Sequence, residues 1–305
     1  IKIIKKEKPD IIHVHSINCY MADIYRLFRF LNEKEYPIIV TNHAEFFYTG
    51  NCSHAKDCTL YLKGCGDCPD LYNATGSKVK DKSNEAWIKM QNCIQGASNI
   101  RVVSVSPWVL KRSSLSPIMK GIKQRVILNG VNTEIYNNGN GSFSSNRILL
   151  FVTANFSAHD YLVVGKIRNS ENLPDNIELI GQIEDQYKLA DYYRSANLTI
   201  VVSKRETFSM PVAESLCCGT PVVGFKAGGP ESIANLKYSE FVNYGDLEEL
   251  ERIIKHKWLN YKTQEVSEII SAESIRNYSS ERMAKEYISV YEELINEKDR
   301  NFDLS

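Results

Sequence analysis

Short apolar runs alternate along nearly the whole chain with longer amphipathic segments, and this pattern narrows the fold more than any other feature. "DIIHVHS" (10–16) reads as a buried strand, 20–34 as a helix and "PIIVTNH" (37–43) as a strand. Residues 84–97 read as a helix, 99–106 as a strand, 107–114 as a short helix with Pro107 in its first turn, and 124–131 as a strand. Strands separated by helical segments predict βαβ units on a parallel sheet, hence an α/β fold. "NNGNGSFSSN" (137–146) has no apolar period and reads as a domain boundary. A second alternation follows, with strands at 147–153, 160–165, 177–183, 198–203, 221–225 and 240–244, and a helix at 185–196. From Leu247 to about Lys298 the pattern is almost wholly helical. The division expected is an N-terminal domain at 1–138, a second domain at 139–280 and a C-terminal helix at 281–305 that returns toward the first.

A length of 305 residues agrees with two domains. The formal net charge is zero, which gives no electrostatic footprint for wrapping nucleic acid. No stretch reaches the ~18 apolar residues that a membrane span needs. The start, "IKIIKKEKPD", has no long apolar run and does not read as a secretory signal; without an initiator Met it reads as part of a longer protein. Eight cysteines in such a chain are expected as free thiols or metal ligands in a reducing cytoplasm.

One junction is awkward. "LLFVT" and "YLVVG" read as neighbouring parallel strands, yet the segment between them is shorter than the dozen or so residues a parallel crossover needs. A crossover helix is expected to be missing near Ser157–Asp160.

The stretch "SKRETFSMPVAESLCCGTPVVGFKAGGPESIA" (203–234) carries most of the chemistry. Ser209 and Pro211 read as a helix start with a hydroxyl cap, and Gly219 as its stop. The first-turn amides and positive dipole end favour an anion at the carboxyl edge of the sheet, where open α/β sheets bind ligands. Glu206 precedes the helix and Glu214 lies on its second turn. A carboxylate accepts two hydrogen bonds from a vicinal diol, so the pair suits a sugar and a ribose. A surface helix with two solvated glutamates remains an open alternative from spacing alone.

"RETFSMPVAESLCCGTPVVGFKAGGPESIA" resembles the donor-site signature of glycosyltransferase family 4, retaining nucleotide-sugar transferases of the GT-B fold, in which two Rossmann-like domains face each other across a cleft. The resemblance continues in "VILNGVNTEIY", with Asn129 and Gly130, and in "IELIGQI". It implies that Glu206 touches the transferred sugar, that Glu214 holds the ribose, and that Thr207, Phe208, Ser209 and Met210 cradle the sugar and diphosphate. It implies that Gly181, Gln182 and Ile183 abut the base and that His43, at the end of its strand, contacts the donor sugar. The activity implied is transfer of a hexose from a nucleoside diphosphate sugar to a glycan or lipid-linked glycan acceptor in bacterial surface polysaccharide synthesis, such as capsule. The implied setting is cytoplasmic with at most peripheral membrane contact, and no catalytic metal is expected. Two features depart from the family. "LLFVTANFSAHD" lacks the Arg and Lys that usually neutralise the diphosphate, and the N-domain begins late, at about its fourth strand. They leave a catalytically silent nucleotide-sugar-binding or scaffold protein as an alternative, with a GT-B nucleotide-sugar epimerase as a weaker third reading.

His13 and His15 alternate on one strand and share a face; packing or acceptor-side hydrogen bonding is expected of them, since no third metal ligand lies nearby in sequence. Cys52, Cys58, Cys65 and Cys68 fall within a loop at 50–69 and could close a tetrahedral zinc site, with disulfides or free thiols as alternatives. Similar cysteine-rich inserts occur in a subset of the family, where such a site would organise the loop beside His43. Cys19, Cys93, Cys217 and Cys218 read as buried thiols.

Overall fold

The computed structural model describes residues 1–16, 22–72, 77, 79–139, 148–151, 161–164 and 177–303. The chain divides into two compact units, one of Ile1–Ile127 with Lys285–Ser305, the other of Leu128–Ala284.

The first unit holds four parallel strands in the order β1 (Ile12–His15), β2 (Ile38–Asn42), β3 (Ile100–Ser104) and β4 (Lys123–Val126). Every residue of β2 and β3 is buried, as expected for strands covered on both faces. The edge strand β4 has no buried residue. Helix α1 (Lys2–Glu7) precedes β1. Helix α2 (Ile24–Glu33) starts where Asp23 accepts from the Arg26 amide, and it buries Ile24, Phe28 and Leu31 at helical spacing. A single turn, α3 (Phe46–Thr49), follows β2. Helix α4 (Ser83–Ile94) buries Trp87, Met90 and Ile94. Helix α5 (Pro107–Leu115) begins at Ser106, which accepts from Val109, with Pro107 in the first turn as the sequence predicts.

The second unit is a six-stranded sheet ordered β10-β9-β8-β5-β6-β7, from β5 (Ile148–Phe151), β6 (Tyr161–Val164), β7 (Ile177–Gly181), β8 (Leu198–Val201), β9 (Val222–Phe225) and β10 (Ser239–Val242). All its pairings are parallel. β5 and β6 are neighbours, as their sequences predict; the missing crossover helix expected near Ser157–Asp160 falls outside the described residues. The helices are α6 (Gln186–Ser195), α7 (Met210–Cys217), α8 (Gly229–Ile233), α9 (Leu247–Ile253) and α10 (Gln264–Tyr278). A π-helical turn, Ile254–Trp258, interrupts the helical run predicted from Leu247. It turns Ile254 and Trp258 into one apolar cluster with Leu198, Ile200, Val223, Phe225, Leu250 and Ile253.

Strand β4 ends earlier than the apolar run 124–131 predicts. Ile127 still donates to Ser104, but Val131 pairs instead with Ser279 and donates to the Tyr278 carbonyl at 2.7 Å. Apolar character secures burial for Val131; it does not choose the partner.

The long helix α11 (Ser280–Asp303) begins in the second unit and ends in the first. Within the first unit it buries Val290 and Leu294. Its Glu293 pairs with Arg125, and its Glu297 pairs with the nearly buried Arg101 and, at 2.9 Å, with Lys123.

Candidate active site

Chain order in the second sheet runs outward from β5 through β6 to β7, then returns to β8 on the opposite side. The point of reversal lies between β5 and β8, and the crevice there, outside the carboxyl ends, is where such sheets take ligands. The loop leaving β8 carries Ser203, Glu206, Thr207 and Phe208 and ends in α7.

Two loops are laced together at this edge. The Glu206 amide donates to the Ala227 carbonyl at 3.0 Å, and the Gly229 amide donates to the Glu206 carbonyl at 2.8 Å. The Glu231 carboxylate closes the second loop by accepting from the Ala227 and Gly228 amides, each at 2.9 Å. A Cβ on Gly229 would lie 2.5 Å from the Phe208 nitrogen, so glycine is required there for close approach. Ser203 donates its hydroxyl hydrogen to the half-buried Glu206 carboxylate and holds it at the crevice. The sequence singled out Glu206 but assigned no role to Ser203 or to Glu231.

Ser209 departs from expectation. Its hydroxyl makes no capping bond, its φ is 91°, and its buried Oγ has no hydrogen-bond partner among the described residues. From that left-handed position the side chain cannot curl back onto the first-turn amides as an extended cap residue does. The start of α7 therefore keeps its amides and positive dipole end uncapped by its own side chain, an arrangement suited to an anion. Non-glycine residues seldom hold such a φ, and functional sites are where they collect. Thr207 is half-buried, Phe208 buried and Met210 exposed at the same edge.

Glu214 sits deeper. Its Oε2 accepts from the Tyr193 hydroxyl at 3.0 Å, and Tyr136 also hydrogen-bonds to the carboxylate. Burial pushes its pKa up, and the two phenols oppose that shift. The tyrosines lie 78 and 21 residues from Glu214 and 57 from each other, separations at which no local pattern connects them. Gly181 ends β7 with φ 74°, followed by exposed Gln182 and half-buried Ile183. Three strand spacings, about 14 Å, separate β8 from β7.

In the first unit, His43 follows β2 and Glu45 is fully buried. The Glu45 carboxylate accepts from Tyr48 Oη at 2.8 Å, the Ala55 amide at 2.7 Å and Arg112 Nε at 2.6 Å, which ties the cysteine loop to α5. Cys52, Cys58, Cys65 and Cys68 border one cavity there, and none is in a disulfide. Burial, with the neighbouring thiols, pushes Cys52 and Cys65 up to about 12. Among the described residues no group of three or more His, Cys, Asp or Glu side chains is arranged to hold a metal ion, so the zinc expected on these four cysteines gains no support from the geometry. The spacing supplies the right donor set, but convergence depends on how the loop closes. Cys217 and Cys218 are buried and Cys93 is half-buried; Cys19 falls outside the described residues.

The paired parallel α/β units are those of the GT-B fold. Residues 163–271, which include the whole β8–α7–β9–α8 edge, match the family described as Glycosyl transferases group 1. A sequence relative, D-inositol 3-phosphate glycosyltransferase 2 of Catenulispora acidiphila, is 47% identical over 45 residues, 15% of this chain and 10% of that protein. The match thus spans about a tenth of the relative's length. Among solved structures, sucrose-phosphate synthase from Thermosynechococcus elongatus superposes with a TM-score of 0.64 at 17% identity, covering 97% of this chain and 76% of that one. Anabaena Alr3699/HepE in complex with UDP gives a TM-score of 0.64 at 12% identity, covering 96% and 81%. No described helix is long and apolar enough to cross a membrane.

Proposed function

We propose that the protein is a retaining glycosyltransferase of family 4 type that moves a hexose from a nucleoside diphosphate sugar to a glycan or lipid-linked glycan acceptor. The uncapped start of α7 beside Glu206, at the point where the strand order reverses, carries this reading. The likeness to a UDP complex supports a nucleotide-sugar donor. In this reading the first-turn amides of α7 bind the diphosphate, Glu206 and His43 hydrogen-bond to the sugar, and Glu214, fixed by its two tyrosines, takes the ribose. Gly181, Gln182 and Ile183 border the base about 14 Å along the sheet edge, a span that suits a nucleoside diphosphate.

The acceptor hydroxyl oxygen attacks the anomeric carbon as the bond from that carbon to the β-phosphate oxygen breaks. The hydroxyl proton passes to the departing phosphate, and the new glycosidic bond forms on the face that the phosphate left. The helix dipole and amides stabilise the charge building on the phosphate, so the step needs no catalytic metal. The products serve a bacterial surface polysaccharide on the cytoplasmic side, with at most peripheral membrane contact.

The domain division at 138/139 and 280/281 belongs to the same reading, as does a structural zinc ion in the cysteine loop, which rests on the spacing of the four cysteines alone. Metal analysis of protein purified without chelator tests the zinc, and a result without stoichiometric metal removes it. For the transfer itself, UDP-glucose titration and turnover with EDTA present are compared across wild type, Glu206→Ala and Glu214→Ala. Loss of a charged hydrogen bond worth about 1.5–3 kcal/mol slows Glu206→Ala by at least ~10-fold, while Glu214→Ala chiefly weakens donor binding. Unchanged kinetics in both variants would remove both glutamates from the donor site. The lack of Arg and Lys in "LLFVTANFSAHD" favours one alternative, a silent nucleotide-sugar-binding protein, which would bind UDP-glucose without turning it over.

A further inference from the structure

Three histidines meet at the carboxyl end of the first sheet. The parallel register sets His13 beside Ile39 and His15 beside Thr41, while His43 stands just beyond the end of β2. His15 Nδ1 lies 2.9 Å from His43 Nε2, and the two rings are 5.2 Å apart at 30°. His13 packs behind His15 with ring centroids 3.9 Å apart. It is itself fixed at both nitrogens, Nδ1 to Tyr291 Oη and Nε2 to Thr41 Oγ1, each at 2.8 Å. Thr41 Oγ1 continues the network to Tyr287 Oη at 3.0 Å. The His15 ring plane is thus set by a neighbour that cannot easily turn.

A neutral imidazole has one N–H donor and one bare acceptor nitrogen. A single N–H between His15 and His43 therefore demands complementary tautomers: whichever ring donates, the other must accept. Because the contact uses Nε2 of His43, the pairing couples the tautomer of His43 to that of His15. Burial holds all three histidines below their ordinary range, and neighbouring imidazoles lower His13, down to about 4, and His43 further, which keeps the cluster neutral at ordinary pH.

We propose that His15 is a positioning residue for His43, holding that ring in one orientation and one tautomer for its contact with the sugar. The pairing stands on the geometry of the first unit alone; its consequence for transfer rests on the function proposed above. Which nitrogen of a metal-free histidine carries the proton is commonly set by such a partner. The residue is invisible to a search for catalytic side chains, because it acts only through its neighbour.

The test uses protein labelled with ¹⁵N at histidine, whose ring nitrogen shifts report tautomer directly. Wild type should show His43 as a single neutral tautomer at pH 7.5. His15→Ala should convert His43 to a mixture of both, and His15→Asn, whose amide can occupy the Nδ1 position, should restore one form and guards against simple misfolding. With UDP-glucose as probe, donor hydrolysis should fall about five- to tenfold in His15→Ala, the scale of one lost hydrogen bond, and recover in His15→Asn. A mixed tautomer in wild type, or one unmoved by His15→Ala, overturns the pairing. An altered tautomer with unaltered hydrolysis overturns the positioning role. Wild type that locks the tautomer but neither binds nor turns over UDP-glucose or any other nucleotide sugar supports the pairing and overturns the proposed function, so the two failures are distinguishable.

Discussion

Gly229→Ala tests whether the proposed donor edge depends on the close approach of its two loops. An alanine Cβ at this position would lie 2.5 Å from the Phe208 nitrogen and the Thr207 carbonyl carbon, and 2.7 Å from the Thr207 oxygen. All three are backbone atoms, so no side chain can swing aside. Ordinary contact begins near 3.4 Å, which requires the loops to part by about 0.9 Å, the difference between 3.4 and 2.5 Å. That movement strains both hydrogen bonds through Glu206, at 2.8 and 3.0 Å, and carries Thr207, Phe208 and the start of α7 with it. Overpacking of this kind costs about 1–3 kcal/mol, and each kcal/mol lowers Tm by roughly 2–4 °C in domains of this size. Displacing binding groups by about 1 Å can cost up to ~100-fold in turnover. Urea unfolding followed by circular dichroism reads the first effect, and calorimetric titration with UDP together with UDP-glucose turnover reads the second. A variant with the wild-type unfolding midpoint, nucleotide affinity and rate would refute the argument that glycine is needed here for space.

Two other perturbations probe the scaffold behind the sites. Lys262 is buried and donates to the Arg194 and Ala196 carbonyls and Thr220 Oγ1 at 2.7, 2.8 and 2.7 Å, and burial brings its pKa down to about 7. A lowered folded pKa means that the unfolded chain binds the extra proton, so the penalty is full below pH 7 and is relieved as pH rises toward the unfolded value near ~10.4. The difference in unfolding free energy between wild type and Lys262→Met should therefore shift in favour of wild type between pH 7 and 10; a difference that is flat across that range would contradict it. Glu45→Gln removes the charge opposite the largely buried Arg112, and breaking a buried pair costs about 3–5 kcal/mol, here toward the lower end because Arg112 keeps 16% of its side-chain exposure. Urea unfolding at a lower midpoint and faster modification of Cys52 and Cys65 by a thiol reagent are expected, and wild-type values of both would show that the pair does not hold the cysteine loop.

The sequence by itself determined the class of fold and the start and stop of the helix at the proposed donor edge. Period and run length declare β2, β3 and β8, because strands buried on both faces must be continuously apolar. The spacing of Glu206, Pro211, Glu214 and Gly219 likewise declares a helix start and stop, since caps and turns are local chemistry. Gly219, at φ 76°, lets Thr220 and Gly219 donate to the Ser215 and Leu216 carbonyls and so ends α7 where the sequence says it ends. Tertiary structure alone decided which groups meet. Ser209 has the side chain of a cap but sits at φ 91° in the folded chain, and its hydroxyl lacks the expected partner among the described residues. Tyr136 and Tyr193 reach Glu214, His15 reaches His43, and Tyr291 reaches His13 across separations at which sequence carries no distance information. Four cysteines can be counted in a loop, but whether their sulfurs converge depends on a backbone path set by Glu45 and Arg112. Secondary structure follows from forces acting within a few residues, whereas a site is assembled by long-range packing, which the linear order of the chain does not encode residue by residue.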